Sequence, residues 1–239
     1  MKQKITAMLP FYAVILSLFL AAAHSGSKAV TALSESFMPP SRSLVIIDAG
    51  HGGEDGGAVS CTGISESKLN LEIALRLEDM MHLLGIDTYM IRRTDCSVHT
   101  NGNTISSRKI SDLKERVRII NESSPALTLS IHQNYFPDSK YSGPQVFFRN
   151  SEASKALASE MQSSLTRCLC TSNNRKEKPA DGIFLMENID CTAILIECGF
   201  LSNPQEEAKL RQADYQKELC AVIAAATAQF LSLDAQTND

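Results

Sequence analysis

From residue 43 almost to the C-terminus, short unbroken apolar runs alternate with stretches in which apolar residues recur every three to four positions. An unbroken run of four to eight apolar residues suits a strand buried on both faces, and the longer periodic stretches suit crossover helices. The runs fall at 43–48, 86–92, 126–131, 145–149, 182–186 and 193–197. Between them, Leu69, Ile73, Leu77, Met80, Met81 and Leu84 mark one helix, with Gly85 placed to end it. Leu113, Val117 and Ile120 mark a second, and Ala153, Leu157, Met161 and Leu165, opened by Ser151, mark a third. Residues 204–233 read as helical. Strands alternating with helices predict an α/β fold: one domain with a mostly parallel sheet of about six strands, flanked by helices on both faces. The polar stretches at 94–107 and 171–180 read as exposed loops.

The rest of the chain sets bounds. With 239 residues and 44% hydrophobic content, it buries one full core. A formal charge of −4 without a Lys/Arg cluster argues against nucleic acid as a partner. Lys2 and Lys4 precede an apolar stretch, 7–23, broken only by Pro10 and Ser17. That pattern is an export signal, either cleaved after Ala21-Ala22-Ala23 or kept as a membrane anchor. The expected organisation is therefore a signal or anchor at 1–25, a linker at 26–43, a catalytic domain at 44–233 and a tail at 234–239. It places the protein outside the cytoplasm, with membrane contact only through the N-terminal segment. Seven cysteines form no metal ladder, and an odd number cannot all pair within one chain.

In open parallel sheets, functional groups gather beyond the carboxyl ends of the strands. The first strand ends at Asp48-Ala49-Gly50-His51-Gly52-Gly53, the third runs into His132-Gln133-Asn134, and the last finishes at Glu197-Cys198-Gly199. Glu66 opens the first helix. Two imidazoles and a carboxylate, with a fourth position left to water, make a catalytic zinc set; a further carboxylate that does not ligate serves as proton acceptor, and Glu197 is the candidate. Singly, these residues have ordinary explanations. His51 suits a turn, His132 a strand end, and Glu66 the positive end of a helix. Glu197 does not fit so easily, because a carboxylate after Ala-Ile-Leu-Ile in a buried strand is costly without a charged partner.

The blocks Ile47-Asp48-Ala49-Gly50-His51-Gly52-Gly53 through Gly56-Gly57-Ala58, then Glu66, Ser130-Ile131-His132-Gln133-Asn134 and Ile196-Glu197-Cys198-Gly199-Phe200-Leu201-Ser202-Asn203 resemble the N-acetylmuramoyl-L-alanine amidases of the amidase-3 type. The resemblance spans about 44–233. It implies a zinc-carboxypeptidase-like fold, Zn2+ bound by His51, Glu66 and His132, Glu197 as general base, and peptidoglycan as substrate. Residues 106–109 and 112–117, Ser142-Gly143-Pro144-Gln145 and the minimal architecture are most similar to the germination-specific CwlD-type branch. That branch implies a spore-cortex role and a partner deacetylase that forms muramic-δ-lactam. The catalytic domain takes up nearly the whole mature length, leaving no wall-binding repeats, so recruitment falls to an anchor, an accessory or activator protein, or the substrate groove itself. Asn134, Gln145, Arg108 and Arg116 are the candidate substrate contacts, although a solvated helix face also accounts for Arg108 and Arg116. Gln133, Pro144 and Cys198 depart from the family pattern, and Cys198 beside the base reads alternatively as an oxidation-sensitive thiol. Two rival functions remain: another zinc cell-wall peptidase or carboxypeptidase, and a non-catalytic peptidoglycan-binding module.

Overall fold

The structure is a computed structural model that describes residues 43–237. The expected export signal and nearly all of the expected linker lie outside the described residues. Strands β1 (Val45–Ala49), β2 (Thr88–Met90), β3 (Leu127–Asn134), β4 (Gln145–Phe148), β5 (Lys178–Pro179) and β6 (Thr192–Phe200) form one sheet in the order β2-β1-β3-β6-β4-β5. The strands β2, β1, β3 and β6 run parallel; β4 lies antiparallel to β6, and β5 follows β4. Helices α1 (Glu66–Leu83), α2 (Ile105–Ser123), α3 (Glu152–Leu169), α4 (Phe184–Asn188), α5 (Pro204–Leu210) and α6 (Ala213–Thr237) complete the described elements. Among the described residues, no helix is long and apolar enough to cross a membrane.

Side chains of a strand alternate between faces, and the core divides accordingly. Val45, Ile47 and Ala49 of β1 pack in a cluster with Leu77 and Met81 of α1, Leu157 of α3 and Ile223 of α6. Ile46, on the opposite face, joins Ile120 of α2 and Leu185 and Met186 of α4. Helix caps follow local chemistry. Ser151 accepts from the backbone N–H of Ser154 to open α3, and Thr104 forms a reciprocal capping box with Ser107 to open α2. The chain leaves α1 through Gly85, whose φ of 72° lies in the left-handed region.

The expected α/β sheet of six strands is present, with two differences in its parts. Residues 182–186 were expected as a strand but enter the short helix α4, while the fifth strand is Lys178–Pro179, inside an expected loop. An apolar run of four residues cannot set its own period, and here burial of Leu185 and Met186 under α2 decides it. Pro179 fits a two-residue edge strand, where no ladder donor is needed. The expected C-terminal helix is two helices, α5 and α6, and the second runs past 233 to Thr237.

Candidate metal centre and active site

The carboxyl ends of β1, β3 and β6 meet at one edge of the sheet. In register, Asp48 lies beside Ser130 and His132 beside Glu197, so all four side chains share the face covered by α2 and α4. Glu66 reaches the same place from the first turn of α1. Its Oε1 lies 2.9 Å from His132 Nδ1 and its Oε2 lies 3.3 Å from His51 Nε2. The nearest donor atoms of His51, Glu66 and His132 lie within 4.8 Å of one another, and the two imidazole rings meet edge-on, 5.1 Å between centroids.

Two glycines make this approach possible. A Cβ at Gly50 would sit 2.2 Å from the His132 ring; one at Gly57 would sit 2.5 Å from Glu66 Oε2 and 2.8 Å from the His51 ring. Gly57 also has φ +67°, a conformation that L side chains rarely adopt. Glu66 is fixed as well as buried. Its Oε2 accepts from the Ala58 N–H at 3.0 Å, and its Oε1 accepts from the Gln133 N–H at 3.2 Å and from Asn70 Nδ2 at 3.3 Å.

Charge fits this geometry. Burial opposes ionisation of Glu66, but hydrogen bonds and charge from His132 and then His51 outweigh it and hold the carboxyl far below the usual range. Burial likewise opposes the charged form of His51, yet the bond to Glu66, followed by the one to Asp55, raises the imidazole to about 9. Glu197 goes the other way. Burial pushes it up to about 7, and the nearby Glu66 charge adds to that. One of its oxygens, Oε2, is buried with no hydrogen-bond partner. Two imidazoles and a carboxylate converge into a His2Glu group that could hold a metal ion, and Glu197, which pairs in register with His132, has an unpartnered buried oxygen.

The other expected contacts fare differently. Arg116 is 2% exposed and its guanidinium is already engaged by Asp48, by Asp112 Oδ2 at 2.6 Å, and by the carbonyls of Ala49 and His51. It is neither a free substrate grip nor part of a solvated face. Gln145 lies in register with Glu197 but is buried, its amide donating to the Lys176 carbonyl. Arg108 is half-buried and pairs with Glu54 at 2.6 Å, and Asn134 remains half-buried at the end of β3. Cys198 is 1% exposed on the opposite face of the sheet from Glu197, where burial raises its thiol well above the ordinary value. That excludes a reactive thiolate beside the base. All seven cysteines are free.

Several residues around the centre went unassigned in the sequence. Asp55 Oδ2 lies 2.9 Å from His51 Nδ1, and Lys109 Nζ lies 2.6 Å from Asp55 Oδ1. Buried Arg92 donates to the carbonyls of Ala49, Gly50 and Ser67. The stretch at 94–107 is not a free excursion, because Asp95 Oδ1 accepts from the Gly53 N–H and Asp112 Oδ1 accepts from Ser97 and Val98. The i, i+4 spacings of His51–Asp55 and Glu66–Asn70 were the available signals.

The sequence pattern of the N-acetylmuramoyl-L-alanine amidase family matches residues 45–229. The chain belongs to that family. It is thus an N-acetylmuramoyl-L-alanine amidase, a hydrolase acting on peptidoglycan. The amidase is 38% identical, over 188 residues, to the germination-specific N-acetylmuramoyl-L-alanine amidase of Bacillus subtilis (strain 168), covering 78% of each chain. Among solved structures it is similar to the CwlD amidase from Clostridioides difficile in complex with the GerS lipoprotein, with TM-score 0.78 and 36% identity over 81% of this chain and 100% of that one. A second similar structure is an N-acetylmuramoyl-L-alanine amidase from Clostridium difficile 630, with TM-score 0.70 and 29% identity over 82% of this chain and all of that one.

Proposed function

We propose that this amidase uses zinc held by His51, Glu66 and His132 to cut the amide between the lactyl group of N-acetylmuramic acid and L-alanine of the stem peptide, with Glu197 as general base. The observation that carries this reading is the closely spaced His-Glu-His set facing the orphaned Oε2 of Glu197. Zinc bound there would supply Lewis acidity toward the scissile carbonyl and acidify a water. Glu197 accepts the proton of the attacking water and returns it to the departing nitrogen of L-alanine, so that a neutral amine leaves. An acceptor in this role must be ionised before the step and must avoid ligating the metal. Glu197 standing outside the group of His51, Glu66 and His132 supports the second requirement.

The test is mass spectrometry of digested peptidoglycan, which should contain free stem peptides with L-alanine N-termini. Chelator should abolish their release and added zinc restore it. Cleavage of purified peptides that lack muramic acid would instead make the chain a peptidase.

We also propose a place in spore-cortex maturation or germination, acting outside the cytoplasm with a deacetylase that completes muramic-δ-lactam. Support comes from the 38% identity to the germination-specific relative. A strain lacking the gene should make cortex without muramic-δ-lactam. An accessory protein belongs to the same reading, because the similar CwlD amidase was solved with the GerS lipoprotein. A lipoprotein co-purifying from sporulating cells in stoichiometric amount would support it. Asn134 and Arg108, which retain partial exposure, are the proposed substrate contacts.

A further inference from the structure

His51 has φ +62°, a left-handed conformation that is uncommon outside glycine, and it stands beside Gly52 and Gly53, whose φ values are also positive. Two separate arms hold it. The first grips the ring: Asp55 Oδ2 lies 2.9 Å from Nδ1, and Asp55 is itself fixed by Lys109 Nζ at 2.6 Å and by the Gly57 N–H at 3.3 Å. The second grips the backbone: Arg116 donates to the His51 carbonyl at 2.7 Å and to the Ala49 carbonyl at 3.0 Å, while Asp48 and Asp112 balance its charge. Both arms are anchored on α2: Lys109 holds Asp55, which lies in the loop after β1, and Arg116 holds the His51 carbonyl directly, with Lys109, Asp112 and Arg116 recurring at helical spacing on the side toward the site.

We infer that α2 is a bracket for the metal centre, with Asp55 and Arg116 as positioning residues for His51. A carboxylate accepting from Nδ1–H fixes the tautomer of the metal-bound ring, so that Nε2, the atom directed at Glu66, would be the nitrogen that ligates when zinc binds. The Arg116 fork sets the loop that carries the ring. Neither residue belongs to the ligand set, and neither offers a free group to substrate. The inference rests on the zinc reading of the site.

The test is zinc affinity by chelator competition, together with thermal unfolding of the metal-free protein. Asp55→Ala should weaken zinc binding on the order of 10–100-fold. Asp55→Asn should restore most of it, because an amide oxygen still accepts from Nδ1–H. Asp55 is partly exposed, so the unfolding midpoint of the metal-free Asp55→Ala protein should stay near wild type. Arg116→Lys should also weaken zinc binding, since one ammonium cannot replace the fork; if that variant does not fold, the two Asp55 variants decide the matter alone. Wild-type zinc affinity in Asp55→Ala would overturn the inference and leave the zinc reading intact. Equal losses in Asp55→Asn and Asp55→Ala would overturn the tautomer argument, and a wild-type protein that binds no zinc would overturn both readings.

Discussion

On one face of the sheet, Val45, Ile47 and Ala49 of β1 meet a thick aliphatic layer from α1, α3 and α6. On the other, the intervening residues Ile46 and Asp48 meet the thinner layer of α2 and α4, and at its edge lie Arg116, His132 and Glu197. The first face is stabilised by burial of hydrocarbon, which is tolerant of detail and indifferent to pH. The second holds ionisable groups out of water; Arg116 is held by Asp48 and Asp112, and His132 by Glu66, while Glu197 Oε2 is left without a hydrogen-bond partner. The same strands supply both faces because consecutive side chains point opposite ways, so a stable core and a costly polar site can share one backbone.

Substitutions on the two faces should therefore differ in kind. The largest effect is expected at Glu197. Glu197→Gln should lower kcat about 10²- to 10⁴-fold while zinc content stays at wild type. Its unfolding midpoint should not fall, because the change removes a carboxylate charge that burial disfavours and that no hydrogen bond to Oε2 supports. Retained turnover would break the comparison, since the polar face would then carry no chemistry at this residue.

Asp48→Asn comes next and should cost about 3 kcal/mol at neutral pH, because it leaves the buried Arg116 charge with Asp112 as its one remaining carboxylate partner. Burial alone would raise the Asp48 carboxyl; Arg116 and then the Ser130 hydroxyl outweigh it and hold the group below its ordinary 3.8. A lowered folded-state pKa gives stability that is complete above the ordinary value and is lost as pH falls through the lower one. Denaturant unfolding of both proteins across the acidic range should show the gap closing below about pH 4.

On the apolar face, Leu77→Ala should cost about 2–5 kcal/mol at every pH, with zinc affinity and turnover per folded molecule unchanged. A loss of zinc affinity in that variant would show the two faces to be coupled through the sheet. Cys198→Ala should have the smallest effect, about 1 kcal/mol with full activity, and native Cys198 should resist thiol reagents that label Cys61.

Much of this could be read from the sequence, and the unread parts share a cause. The long periodic segment from Leu69 to Leu84 carries its own period, so α1 was legible, and the unbroken apolar run before Glu197, expected as a strand, is one, β6. The stretch at 182–186 is too short to do so, and its helix exists because α2 covers Leu185 and Met186. His51, His132 and Glu197 were legible together because each follows the carboxyl end of an expected strand, whereas Glu66 joined them only through the family resemblance; the structure brings Glu66 beside both histidines. Arg116 was misassigned because nothing in a helical sequence shows whether a charged residue faces water or a pair of buried aspartates. The alternative reading of Cys198 as an oxidation-sensitive thiol fails for a related reason: consecutive side chains of a strand point to opposite faces, so Cys198 is buried on the other side from Glu197.

The sequence by itself determined the alternation of strand and helix, the family blocks, and the residue types available at the sheet edge, since these depend on local period and spacing. Only the tertiary structure decided which charges meet. Glu66 lies 66 residues from His132, and Arg116 lies 65 from His51 and 68 from Asp48. Over such separations the chain imposes no distance of its own. Register of the parallel strands and packing of α2 against them bring these groups together, so the bracket that holds His51 forms only when the sheet is complete.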